Sequence, residues 1–229
     1  MYKRQIFGDG LAIYANPELL PEQSDNYNLD ISNTTLFSTN KLRAKLGFFY
    51  RDVDNFIDDV FQVRGLAYEN TRSVLIYGGE ASFSFEYAQK ASFTINLTRQ
   101  YILNNVEFIE GTQIENRVFG DQLPNEPYLF GNLSFSYNLI DTDSLGLVLN
   151  YDFNYVHEFF LGYESIATAA DKNVIPEQQI HSLGTTLNFN ENKYSLSLEC
   201  NNVFNDLVFD NFNIQNPGRS FSLKLRYNL

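Results

Sequence analysis

The 229-residue chain has no tryptophan, one cysteine and two histidines, and its 16 Lys and Arg are outnumbered by 28 Asp and Glu. Each shortage removes a class of protein. A lone Cys200 cannot build an intrachain disulfide framework. A net charge of −12 has the wrong sign for a phosphate backbone, so no nucleic-acid partner is expected. No run approaches the ~20 apolar residues of a spanning helix. The first residues, Met1–Tyr14, carry Lys3 and Arg4 but no apolar stretch, so they do not read as a secretory signal peptide. Catalytic signatures are missing too: there is no G-x-S-x-G, no H-E-x-x-H and no phosphate loop. Gly8 and Gly10 are explained by a turn. No enzyme, cofactor or resident metal is expected.

What is present is period-2 alternation, repeated in about nine candidate strands. Tyr27, Leu29 and Ile31 alternate with Asn28 and Asp30, and Leu42, Ala44, Leu46, Phe48 and Tyr50 alternate with basic residues. The pattern returns at Ala81–Tyr87, Ala91–Leu97, Leu129–Tyr137, Leu145–Tyr155, Leu183–Phe189, Tyr194–Leu198 and Phe221–Leu229. Alternation alone fits a soluble sandwich or a membrane barrel. Strand length favours the barrel: Lys41–Asp52 and Leu145–His157 match the ~9–11 residues of a tilted spanning strand, not the ~5–6 of soluble sheets.

Loop lengths also alternate. Short links are expected at Thr34–Asn40, Ala88–Gln89, Ile140–Asp143 and Asn190–Asn192, and long ones at Val53–Arg72, Leu103–Pro127, Phe159–Gln178 and Val203–Pro217. Segregation of short turns from long loops is the outer-membrane pattern. Aromatics then fall into two expected girdles on the apolar face: Tyr87, Tyr137, Phe189, Tyr194 and Tyr227 near the short turns, and Tyr50, Tyr101, Phe153 and Tyr155 near the long loops. Nine strands are an odd number, whereas closed bacterial barrels are even, so the chain reads as the C-terminal part of a larger barrel.

Four segments carry a family resemblance: "NPELLPEQSDNYNLDI" (Asn16–Ile31), "GGEASFSFEY" (Gly78–Tyr87), "LECNNVFND" (Leu198–Asp206) and "PGRSFSLKLRYNL" (Pro217–Leu229). Together they resemble the C-terminal barrel of TonB-dependent outer-membrane receptors. The resemblance implies one partial domain over residues 1–229, with 1–24 an outer loop and 25–229 strands. It implies an all-β, antiparallel transmembrane segment forming an open curved sheet, because the remaining strands and the plug are absent. It further implies the Gram-negative outer membrane, contact with its lipid, a TonB system as partner, and energised uptake of a small nutrient such as an iron chelate. A passive porin and a soluble all-β binding module are the alternatives. The final Leu229 departs from the family's aromatic ending.

Candidate ligand contacts are Arg64, Arg72 and Arg117, suited to anionic chelates, and the loop aromatics Tyr68, Phe108, Phe119, Phe159 and Phe212. Arg219 also lies beside an outer loop. His157 and His181 are expected to top neighbouring strands, as interfacial imidazoles more than as a metal pair. Asp52, Asp54, Asp58 and Asp59 read as a solvated loop, since their spacing is not that of a calcium-binding loop.

Overall fold

The computed structural model describes residues 13–62, 65–109, 111–166, 174–191, 193–209 and 214–228, with the backbone alone at 13, 58–62, 66, 71 and 72. Among them there is no helix. The strands are β1 (Ile13–Tyr14), β2 (Gln23–Phe37), β3 (Asn40–Gln62), β4 (Gly65–Tyr87), β5 (Ala91–Asn104), β6 (Leu129–Asp141), β7 (Leu145–Val156), β8 (Phe159–Phe160), β9 (Val174–Ile175), β10 (Gln178–Phe189), β11 (Tyr194–Asn201) and β12 (Ser220–Tyr227). Nine of them form an antiparallel meander in the order β12-β11-β10-β7-β6-β5-β4-β3-β2. Its two edges, β2 and β12, are not paired with each other, so the sheet is open as expected. β1 pairs in parallel with the loop end of β4, and β8 and β9 form a separate hairpin.

Register follows side-chain identity. Leu42, Phe85, Phe93, Phe135, Tyr151, Leu183, Cys200 and Phe221 stand in one row across eight strands. A slip of one residue anywhere would turn a whole strand over, so the alternation locks the register. Leu29, Leu46, Phe83, Leu97, Leu149, Leu198 and Leu225 on this face are all exposed. An apolar face without a protein covering needs a non-aqueous neighbour. At the loop end, Tyr27, Tyr50, Tyr77 and Tyr101 are in register. Tyr77 stacks on Tyr101 at 5.1 Å, Tyr128 continues the row at 6.4 Å and His157 lies 4.8 Å beyond it. At the turn end, Phe37 meets Phe85, Phe135 meets Tyr137, and Phe189, Tyr194 and Tyr227 stack in series. Tyr87 packs on Phe85. About ten residues separate the two rows on β3, β4 and β5, or roughly 25 Å for strands tilted near 40°.

The turn end is tighter than expected. The Thr34–Asn40 link contracts to Ser38–Thr39, because β2 and β3 pair as far as Phe37 and Asn40. Positive φ values at Ser38, Ala88, Gln89, Asn190 and Glu191 supply the left-handed backbone that short hairpins need.

The loop end departs further. Val53–Arg72 is not a loop: β3 and β4 stay paired from Asp54–Ser73 to Gln62–Gly65. Alternation fails there, with Asp54, Asn55, Asp58 and Asp59 in sequence, so periodicity carries no strand signal. Backbone pairing and side-chain clamps supply it instead. Asn70 Nδ2 donates to Leu20 O (3.0 Å) and Asn55 O (2.7 Å) while its Oδ1 accepts from Leu20 N (2.8 Å). Asn16 Nδ2 donates to Tyr68 O (2.8 Å), and Glu22 accepts from Ile57 N (2.9 Å). The Asn-Pro segment is therefore the brace of a hairpin reaching about 40 Å beyond Tyr50, at ~3.3 Å per residue.

Candidate ligand-facing surface

The opposite face of the sheet is polar. Lys45 pairs with Asp30 (2.9 Å) and Arg43 with Glu86 (2.8 Å). Ser134 donates to Asp152 (2.7 Å), and Thr186 and Ser197 share a hydrogen bond (2.9 Å). These pairs join neighbouring strands, so each polar group meets another polar group or water. A glycine on each face marks a close approach of strands. A Cβ on Gly78 would stand 2.3 Å from Arg99 O and 2.7 Å from the Phe49 ring, and one on Gly131 would stand 2.5 Å from Asn96 O. The Gly-Gly-Glu motif is thus a place where strand and ring approach too closely for a side chain.

Near the loop end this face turns apolar, and the loop after β5 folds onto it. Leu123 is buried against Val53 and Val74, with Phe56, Ile76, Ile102 and Tyr163 around them. Leu123 N donates to Ile102 O (2.7 Å), and Asn104 N to Asp121 O (2.9 Å). The loop after β7 joins it, since Ser165 Oγ donates to Asp121 (2.6 Å) and Asn125 N to Phe160 O (2.7 Å). The loop after β11 is tied by Gln178, 5% exposed, whose Oε1 accepts from Phe209 N (3.0 Å).

Below these loops lies an open groove of about 630 Å³. Asn96, Asn132 and Asn154 line it, in register across β5, β6 and β7. Asn96 Nδ2 donates to Asn132 Oδ1 (3.3 Å). Phe130, Phe159 and Ile180 form its apolar wall. Such a site offers neutral donors and acceptors beside apolar surface. The amide row was missed because each Asn sits singly in its own strand; comparing polar positions at equal distance from the loops finds it.

The expected contact residues divide. Phe108 and Phe119 are exposed, 43% and 48%, on the loop after β5, and Arg117 is exposed beside them. Tyr68 is half-buried and its carbonyl holds Asn16. Phe159, 5% exposed, packs in the β8–β9 hairpin opposite Ile175 and lines the groove as part of its wall. Arg64 and Phe212 lie outside the described residues, and Arg72 is described by its backbone in β4 alone.

The two histidines do not meet. His181 Nδ1 bonds Tyr151 OH (2.8 Å) between Phe153 and Phe204. His157 Nδ1 bonds Tyr155 OH (2.8 Å), 3.6 Å from Glu177. Hydrogen bonds from Gln179 (2.6 Å) and Tyr155 (2.9 Å), with His157 nearby, hold the Glu177 carboxyl below its ordinary range. Glu126, Glu158 and Glu164 line a 240 Å³ cavity, yet no group of three His, Cys, Asp or Glu among the described residues is arranged to hold a metal ion.

The two C-terminal motifs are one device. Asn202, 4% exposed, exchanges hydrogen bonds with Asp206 (2.8 and 2.9 Å). Asn205 Oδ1 accepts from Arg219 N (2.8 Å), and a Cβ on Gly218 would stand 2.5 Å from that oxygen. The asparagine motif ends β11 and aims β12 through the Pro-Gly-Arg turn.

Residues 3–203 match the family described as TonB dependent receptor-like, beta-barrel. No curated protein matches the chain. Among solved structures, it is similar to the copper transporter OprC at 17% identity and a TM-score of 0.69, covering 97% of this chain and 33% of that one. The ferric enterobactin receptor PfeA of Pseudomonas aeruginosa, in complex with enterobactin, is similar at 20% identity and 0.65, over 93% and 32%. The siderophore receptor PirA of Acinetobacter baumannii is similar at 19% and 0.63, over 94% and 33%. The chain therefore spans about a third of the length of these structures.

Proposed function

The chain belongs to the TonB-dependent receptor-like β-barrel family, a family of outer-membrane receptors and transporters of Gram-negative bacteria, and we propose that it supplies barrel wall and ligand-facing loops to a receptor for energised uptake of a scarce nutrient, such as an iron chelate. One observation carries this reading: a sheet of spanning length has an exposed apolar face and a polar face over which the long loops fold. In that reading the short turns are periplasmic and the long loops external. The tyrosine row from Tyr27 to Tyr101, with Tyr155, sits at the outer interface, and Tyr87, Tyr137, Phe189, Tyr194 and Tyr227 sit at the inner one. The amide groove and the exposed Phe108, Arg117 and Phe119 face the nutrient. Energy comes through the TonB system.

The test has two stages. Expressed with a signal sequence, the chain is expected in the outer-membrane fraction, and recovery as a soluble periplasmic monomer overturns the membrane placement. In cells carrying the gene, deletion is expected to abolish uptake of a radiolabelled ferric chelate to the level seen without TonB. Uptake that persists without TonB points instead to passive diffusion.

A further inference from the structure

Between the two aromatic rows, Arg99 is the one charged residue among the described residues of the apolar face. Its place on that face is fixed by register: Gly79 stands opposite it on β4 and Leu129 on β6, while Leu97 and Tyr101 flank it along β5. A charge here is costly in hydrocarbon, and the cost falls steeply towards the interface. Arg99 answers by turning to the loop end. Its Nε donates to Tyr101 OH (3.0 Å), one terminal nitrogen bonds the same oxygen, and the guanidinium lies 5.4 Å from the Tyr101 ring. A long stem on apolar surface with its head at the tyrosine row is snorkelling.

The hydrogen bonds leave the cation unsatisfied. A guanidinium has five N–H donors, and the described bonds use two of them, both on one neutral oxygen. Arg99 is exposed, so its remaining donors point into whatever surrounds the barrel at this height. On the reading that this face meets lipid, that neighbour is the outer-leaflet headgroup layer. We propose that Arg99, aimed by Tyr101, binds the phosphate of an outer-leaflet lipid headgroup. The guanidinium fork suits phosphate oxygens. The glycine opposite leaves one side of the fork without a competing side chain, and Tyr77 and Tyr128, both packed on Tyr101, provide flat surface for the rest of the headgroup.

The test uses the full chain, extracted in mild detergent after its membrane insertion is scored by heat-modifiable mobility. Native mass spectrometry then compares retention of phosphorylated lipid A with that of the same lipid dephosphorylated. The expected preference for the phosphorylated form is about fivefold, the electrostatic contribution of one interfacial arginine. Arg99→Gln is expected to bring the ratio close to one, Arg99→Lys to restore part of it, and Tyr101→Phe to lower it while keeping the charge. Free inorganic phosphate is expected not to compete. Insertion with the same preference in Arg99→Gln overturns this inference alone, as does displacement of the lipid by inorganic phosphate, which marks a free-anion site. Failure of the wild-type chain to insert overturns the membrane reading and this inference with it.

Discussion

The two faces of the sheet share every strand and differ in what satisfies them. On one, rows of Leu, Phe and Tyr run in register from strand to strand and stay exposed. On the other, the ion pairs Asp30–Lys45 and Arg43–Glu86 and the Asn96–Asn132 amide bond bridge the strands, and Leu123 of the loop after β5 packs into a small core against Val53 and Val74 of the sheet. The lesson is that alternation assigns each residue a face, while the partner of that face is decided separately: the surrounding solvent for one, folded-back loops for the other.

Adjacent residues test this contrast most sharply. Leu133 lies on the apolar face and Ser134 on the polar face. Leu133→Arg is expected to destabilise by about 2–4 kcal/mol in a membrane, against well under half of that for Ser134→Arg. Urea unfolding in lipid vesicles measures both, and equal effects would break the distinction between faces. Next come the glycines. Gly78→Ala forces a Cβ to within 2.3 Å of Arg99 O, whereas the nearest atom at Gly79 is 3.4 Å away. The first is expected to cost ~1–3 kcal/mol by overpacking and the second far less. At the loop end, Asn202→Ala removes both bonds to Asp206, with an expected loss of ~1–2 kcal/mol. Protease cleavage between β11 and β12 should rise with it, and unchanged cleavage would separate that motif from the aim of β12.

The smallest effect concerns acid. The carboxyl of Glu177 is depressed in the folded chain by Gln179, Tyr155 and His157. Its contribution is complete above the ordinary carboxylate value near 4.5 and is lost as pH falls below that through the lowered folded value. Hydrogen-exchange protection factors at residues 157 and 177, corrected for the intrinsic pH dependence of exchange, should thus hold steady from neutral pH to about that point and fall only below it. Glu177→Gln is expected to flatten the response.

The nine-strand meander was legible because each strand carries its own alternation, a local signal that needs no knowledge of neighbours. The hairpin beyond Tyr50 and Tyr77 was not, since Asp54, Asn55, Asp58 and Asp59 break the period and pairing is held by Asn70, Leu20 and Glu22, distant in sequence. For Phe159, residue type and loop position leave open whether the ring meets a ligand or packs the loops. Its burial against Ile175 depends on β8 pairing with β9, which two residues per strand cannot announce. The asparagine row escaped notice for the complementary reason: Asn96, Asn132 and Asn154 are ordinary polar positions until register sets them side by side.

By itself, then, the sequence determined the antiparallel all-β class, the faces of the alternating strand residues and which end carries the short turns, because period 2, Gly and Asn act within a few residues. Only the tertiary structure decided which polar groups face one another, which loop residues are buried and how Arg99 reaches Tyr101. Those are matters of register and of loop return, and their energies come from residues tens of positions apart.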